Sequence, residues 1–334
     1  MATCLCSLLA LASLAQAPAS GGPPTPPPPP PPAAAAPGDT IAAALRGRIA
    51  KDSSDGVAWL ELGRLYLLAG EEAHAAPHRA SQDTVAARLV LDTAEQLLAR
   101  AVQLLGAEGS TPAGDSARVL RVGAWSLRSR LAWEERGLAV GPSEWGPVPL
   151  DLKLPPVLDE LGENLLRACP MWGVLLTAND ADSYAAWYMR FARGLRPDLF
   201  IVPLAAWRSD SALRSQLVTD LRLARHYGGD ALLGELARHR PVCISMAFER
   251  PPEPNPRIGW TTRPLVWVAG PHLTDDRVPA RDFVFAALRV ALDGQDPWAQ
   301  PALALYVRAA RATPALCEAM RTFKVTDAIP GCRR

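Results

Sequence analysis

Between Gly173 and Trp207 the chain reads GVLLTANDADSYAAWYMRFARGLRPDLFIVPLAAW, and few folds accommodate such a stretch. Two short, wholly apolar runs flank a segment whose large side chains fall on one helical face: Tyr184, Trp187, Tyr188 and Phe191 follow the i, i+3, i+4, i+7 pattern. The runs are too short for buried helices, and Arg196-Pro197-Asp198 is a turn signal before the second of them. The spacing predicts a strand over Gly173–Thr177, a polar elbow, a helix and a strand over Leu199–Leu204. Consecutive parallel strands joined through a helix form a right-handed crossover unit.

The same pattern continues. A helix is predicted near 157–168, ahead of Cys169-Pro170, with further helices over about 210–225 and 230–238. A strand over Val242–Phe248, another over Leu265–Ala269 and helices near 280–292 and 297–311 complete the reading. Residues 143–295 are therefore expected to form a small three-layer α/β domain with a mostly parallel sheet, and 296–334 C-terminal helices and a tail.

Residues 40–142 are rich in Ala, Leu and Arg and carry helical periodicity instead. In GVAWLELGRLYLLAGE, Trp59, Leu62, Gly63 and Tyr66 match the W-x2-L-G-x2-Y signature of a tetratricopeptide first helix. Gly63 is expected to admit a close partner helix, and Gly70 to end its own. Ala94, Leu98 and Ala101 supply the spacing of the second helix, after a lengthened connection, EEAHAAPHRASQDT, that holds Pro77. A third helix starts after Asp115 as its expected cap. The whole is an α+β chain in two parts, a short tetratricopeptide-like bundle followed by the α/β domain. A single repeat pair is too little for an array, so the bundle should lean on its neighbour.

The amino terminus points to an address. MATCLCSLLALASLAQA is an apolar run ending in the small-residue site Ala15-Gln16-Ala17, which predicts a signal peptide over 1–17 and an exported, periplasmic or extracellular protein. Residues 18–39 are proline-rich, and prolines in series fix φ and remove donors, so this segment reads as an extended spacer. No later stretch is apolar and long enough for a membrane helix. With 35 basic and 34 acidic side chains, no net field favours nucleic acid or anionic lipid.

Leader removal leaves Cys169, Cys243, Cys317 and Cys332, which allow three connectivities. Cys243, inside PVCISMAF, reads as a buried thiol. A Cys317–Cys332 disulfide is expected, tying the last coil to the preceding helix across a short loop. The five histidines show no metal-ligand spacing, and no glycine-rich phosphate loop or nucleophilic triad is present, so no cofactor or metal is called for.

Loops leaving the carboxyl ends of parallel strands share one rim, where α/β proteins bind ligands. Asp180, Asp182 and Ser183 follow the first strand, Arg208, Ser209 and Asp210 the second, Glu249 and Arg250 the third. Asp180, Asp182, Ser183, Arg208 and Asp210 are the candidate ligand-binding residues. A D-x-D pair holds divalent cations in many nucleotide-sugar transferases. It equally serves as a helix cap with a partner paired to an arginine, and no nucleophile or base stands beside it.

The elbow T-A-N-D-A-D-S-Y-A-A-W-Y resembles T-N-G-D-N-D-T-F-P-L-W-Y, found in the soluble region that follows the membrane spans of a transmembrane family related to protein O-mannosyltransferases. RPVCISMAF and RPLVWVAGP are similar to two further segments of that region, and the resemblance spans about 160–270. Asp180, Asp182, Ser183, Trp187 and Tyr188 keep the pattern. Asn179 stands for a Gly and Ala181 for an Asn, so roles needing a tight glycine turn or the amide do not carry over. The resemblance implies an extracytoplasmic α/β module beside helical repeats. Two function classes follow: a non-catalytic interaction or accessory module with a protein partner, a membrane glycosyltransferase among the candidates, or a sugar- or nucleotide-binding protein or enzyme using the Asp180/Asp182 rim. A purely structural envelope role is a third reading.

Overall fold

In a computed structural model, the described residues are 37–75, 81–106, 111–136, 147–223, 229–253, 258–271, 273 and 277–332. The expected signal peptide and all but the end of the proline-rich linker lie outside them. The chain is α+β. Four helices come first: α1 (Pro37–Lys51), α2 (Gly56–Ala75), α3 (Ser81–Leu105) and α4 (Pro112–Arg136).

The α2/α3 pair packs through a repeated small-against-large contact. A Cβ added at Gly56, Gly63 or Gly70 would lie 2.8, 2.7 or 2.5 Å from the side chains of Leu105, Leu98 and Leu91. Both series step by seven residues in opposite directions, so the helices run antiparallel with one seam between them. Gly70 therefore does not stop α2, which continues to Ala75; its missing Cβ makes room for Leu91. The expected long connection is correspondingly shorter, since residues 71–75 extend α2 and α3 already begins at Ser81. Asp115 is not the cap of α4. Thr111 accepts the Gly114 N–H at 3.0 Å, and Asp115 pairs instead with Arg118.

After α5 (Pro156–Ala168) come β1 (Val174–Thr177), α6 (Asp180–Trp187) continued by a π-helical turn over Tyr188–Ala192, and β2 (Phe200–Pro203). Next are α7 (Leu204–Ser209), α8 (Ser211–Asp220), α9 (Ala231–His239), β3 (Val242–Ser245), β4 (Thr261–Arg263) and β5 (Val266–Ala269). The chain closes with α10 (Ala286–Asp293), α11 (Ala299–Ala312) and α12 (Leu316–Thr322). The sheet order is β2-β1-β3-β5-β4. Strands β2, β1 and β3 pair in parallel, whereas β5 runs antiparallel to β3 and to β4, so the sheet is mixed rather than mostly parallel. The missed strand, β4, is short and mostly exposed, and its Thr-Thr-Arg has no apolar run to announce it.

Both faces of the sheet are covered, with side chains alternating between them. Leu175, Cys243 and Val268 join a core built from α5, α6, α10, α11 and α12. Val174, Leu176, Val242 and Ile244 join one built from α7, α8 and α9. The residues after 295 thus belong to the main core: Tyr306 and Met320 are wholly buried in it. Two disulfides close this half. Cys317 and Cys332 are bonded, with Cα atoms 5.2 Å apart. Cys243 is not a free thiol; it is bonded to Cys169, 74 residues earlier, and joins β3 to the end of α5. In the chain-entropy model a crosslink of that span is worth about 4 kcal/mol.

α4 binds the two halves together. Arg121, buried, donates to Glu95 of α3 and to Asp151 of the segment entering α5, at 3.0 and 2.7 Å. Arg130 pairs with Asp210 at 2.5 Å and Trp133 donates to Asp220 at 2.7 Å.

Two glycine substitutions should separate packing from propensity. A Cβ at Gly162 in α5 would stand 2.4 Å from the Ala185 carbonyl oxygen, which cannot yield without moving α6. Gly162→Ala is expected to destabilise by about 2–3 kcal/mol. Gly47 in α1 has nothing within 4 Å, and Gly47→Ala is expected to stabilise by about 1 kcal/mol. Denaturant titration of both variants measures the difference.

Candidate functional site

The elbow between β1 and α6 is built by reciprocal capping. Asn179, extended at its N-cap position, accepts the N–H of Ala181 at 3.1 Å and that of Asp182 more weakly. Asp182 reaches back, its two oxygens accepting the N–H groups of Asn179 and Ala178, each at 2.8 Å. Ser245, at the end of β3, adds a hydroxyl to the Asp182 carboxylate. Asp182 is only 1% exposed; burial pushes its carboxyl upward, and these donors oppose the shift. Ser183 is buried too, with its hydroxyl 2.7 Å from that of Thr177. The helix cap is therefore Asn179, not either aspartate; Asp182 is an internal strut, and Ser183, paired with Thr177, borders a cleft beside the elbow.

Asp180 is separated from Asp182 by this geometry. It is exposed on α6 and faces a cleft of about 570 Å³ between the helical half and the sheet edge. The two aspartates of the D-x-D pattern thus cannot act on one ligand. Among the described residues, no group of three or more His, Cys, Asp or Glu side chains is placed to hold a metal ion. Asp210 borders the cleft but is 8% exposed, engaged by Arg130 and by the Leu213 N–H at 3.1 Å. Arg208 lies off the cleft, paired with Asp230 at 2.9 Å. Glu249 and Arg250 do not line it either.

The walls come from residues that the sequence reading had assigned to other tasks. Trp133 of α4, Trp172 before β1, Trp187 and Phe191 of the α6 segment and Phe200 of β2 supply aromatic surface. Trp187 is 5% exposed, and its indole N–H has no partner among the described residues. Glu71, from α2, stands at the acidic end. The Tyr184 hydroxyl donates to it at 3.4 Å, across α4, where Gly123 leaves the tyrosine ring room. Tyr184 was read as a core residue of the helix, and Glu71 only as part of the connection EEAHAAPHRASQDT. Neither had a sequence signal for the site, because the contact joins positions 113 residues apart.

Two carboxylates, Glu71 and Asp180, meet at this corner, with Arg130 acting against their charge. Burial, and then the charge of Asp180, push the Glu71 carboxyl above the usual carboxylate range, opposed by the Tyr184 hydroxyl and Arg130. Desolvation raises Asp180 as well, and burial drives the Tyr184 phenol well above its ordinary value. At the other end, the Arg240 guanidinium lies over the Phe200 ring, 5.5 Å from its centroid. Arg190, also on the wall, donates to the carbonyls of Leu199 and Pro197.

Comparison with protein-family models, curated proteins and solved structures finds no match for this chain.

Single substitutions should distinguish strut from cleft. Asp182→Ala removes the acceptor of the Ala178 and Asn179 N–H groups and of Ser245, and is expected to cost about 3 kcal/mol. Asp180→Asn is expected to stabilise modestly at pH 7. A carboxyl whose pKa is raised by folding contributes fully below its unfolded value, and that contribution is lost as pH rises through the folded value. The gain from Asp180→Asn should therefore vanish as pH falls below the ordinary aspartate range, about 4. Melting curves between pH 3.5 and 7.5 check both outcomes.

Proposed function

We propose that the chain is an exported, non-catalytic interaction module whose binding surface is the cleft between its helical half and the edge of its sheet. The observation that carries this reading is the cleft itself: a concave, mostly apolar surface that includes several aromatic rings, with charges at its ends and no nucleophile–base pair among the described residues that line it. Export is supported by the leader-like first 17 residues and by two disulfides, which persist in oxidising compartments. No helix among the described residues is long and apolar enough to cross a membrane.

The helical half is read as one tetratricopeptide-like pair, α2 and α3, with Trp59, Gly63 and Tyr66 on the first and Ala94, Leu98 and Ala101 buried on the second. It contributes Glu71 to the cleft while leaning on α4. The elbow resembles the soluble region of the O-mannosyltransferase-related membrane family, and a multi-pass membrane glycosyltransferase is the partner proposed on that basis. The alternative, sugar or nucleotide binding at the Asp180 rim, draws on Asp180 alone, since Asp182 is internal.

Ala206 lines the cleft, and Ala206→Trp would fill it. Purified in detergent from its native host, the tagged protein is expected to retain a multi-pass membrane protein, and Ala206→Trp to lose it without a fall in melting temperature. A rise in melting temperature with GDP-mannose or UDP-glucose, abolished by Asp180→Asn, would favour the alternative.

A further inference from the structure

The cleft runs along the free edge of β2 rather than over a face of the sheet. Leu199, Phe200, Ile201, Val202 and Pro203, residues of both parities, all border it. Among the described residues, β2 is the outermost strand and pairs with β1 alone. Phe200 donates to the Gly173 carbonyl at 3.1 Å, so Phe200 and Val202 turn their backbone groups toward β1. In a parallel ladder the alternate residue points the other way, which directs the N–H and C=O of Ile201 into the cleft. An edge of this kind is a template for an added strand.

The two ends of that edge carry opposite charge. β1 and β2 are parallel and in register, Val174 with Phe200 and Thr177 with Pro203. Asp180 follows the carboxyl end of β1, so it and Glu71 stand at the Pro203 end. Arg240 stacks on Phe200, at the amino end. Among the described residues, none of Asp180, Glu71 and Arg240 forms an ion pair. Three strand steps, about 10 Å, separate Phe200 from Pro203.

We infer that the cleft receives an extended peptide segment of a partner protein, added as a strand beside β2, with a basic side chain at Asp180 and Glu71 and an acidic one, three or four residues away, at Arg240. This rests on the module reading above and gives its occupant a chemistry. Apolar or β-branched residues fill the interval against Trp187 and Phe200, and the Ile201 backbone supplies one donor and one acceptor. The charges set the direction of the added segment, because a reversed segment would meet like charge at both ends.

The test is selection by the full chain from a randomised library of acetylated, amidated hexapeptides, followed by titration of the selected peptides. Lys or Arg is expected three or four positions from Asp or Glu in the enriched sequences. Asp180→Asn should erase the basic preference and weaken binding at least tenfold; Arg240→Gln should do the same for the acidic one. Ile201→Pro, which removes the outward N–H, should abolish binding, whereas Ile201→Ala, which keeps it, should retain most of it. Selection without that charge pattern, preferences unmoved by the two charge variants, or unchanged binding by Ile201→Pro would overturn the inference. A concentration-dependent dimer lost in Ile201→Pro, with no peptide selected, would also overturn it, making a second copy of the chain the occupant. No selection at all, with the membrane partner still retained, would remove the peptide and leave the module; loss of both would remove both.

Discussion

Everything in this molecule hangs on α4 being buried from two sides. Val119, Val122 and Trp125 point into the core beneath the sheet, Ala117, Ala124 and Leu127 into the helical bundle, and Trp133 into the opposite face of the sheet. A helix apolar all round would be ambiguous about its own rotation. The buried arginines remove that ambiguity. Arg121 needs Glu95 on one side and Asp151 on the other, and Arg128 needs Asp92 while stacking on Trp125. A buried charge that misses its partners costs several kcal/mol, so these pairs define one rotation and one register even where they add little net stability. The bundle and the α/β half are consequently one packed body sharing a helix.

The elbow after β1 depends on that arrangement and exploits it. Two aspartates one residue apart have been given opposite tasks by the backbone. The capping box turns Asp182 inward, where three donors meet it, and the first turn of α6 then carries Asp180 outward. Because α6 lies against α4 at Gly123, its outward face looks across at α2, and Glu71 and Asp180 come to share one corner. Burial raises both carboxyls there, and the Tyr184 hydroxyl and Arg130 oppose the shift at Glu71.

How much of this was legible follows the range of the interactions. The β1–α6–β2 unit could be read residue by residue, since its strands are continuous apolar runs and its helix carries one aromatic stripe. Gly63 was expected to admit a close partner helix, and Leu98 of α3 does lie against it. Gly70 misled for a physical reason: a glycine that ends a helix and one that admits a neighbouring leucine are identical in sequence, and only the partner helix distinguishes them. Cys243 failed the same way, its apolar surroundings being equally those of a thiol and of a buried disulfide. Of the candidate site, Asp180 alone stands in the cleft as an available charge. Asp182, Ser183, Arg208 and Asp210 are spoken for by partners between three and eighty residues distant in sequence; the longer of these contacts have no local spacing to announce them.

The cleft persists because its walls are braced apart. An uncovered edge strand beside a helix would ordinarily be closed by sliding the helix over it, burying the apolar surface of both. Here α4 is held at a distance by contacts on either side of the gap. Trp133 reaches over to Asp220 of α8 and Arg130 to Asp210, while Tyr184 fills the space between Gly123 and Glu71. Each spacer is a large side chain bonded at its tip, so none can shorten without losing a part-buried hydrogen bond. The strand is also kept short, and Pro203 ends it with a residue that has no N–H to offer. Such an edge resists indiscriminate pairing with long strands, yet the outward N–H and C=O of Ile201 remain for a short segment that also satisfies the charges at both ends.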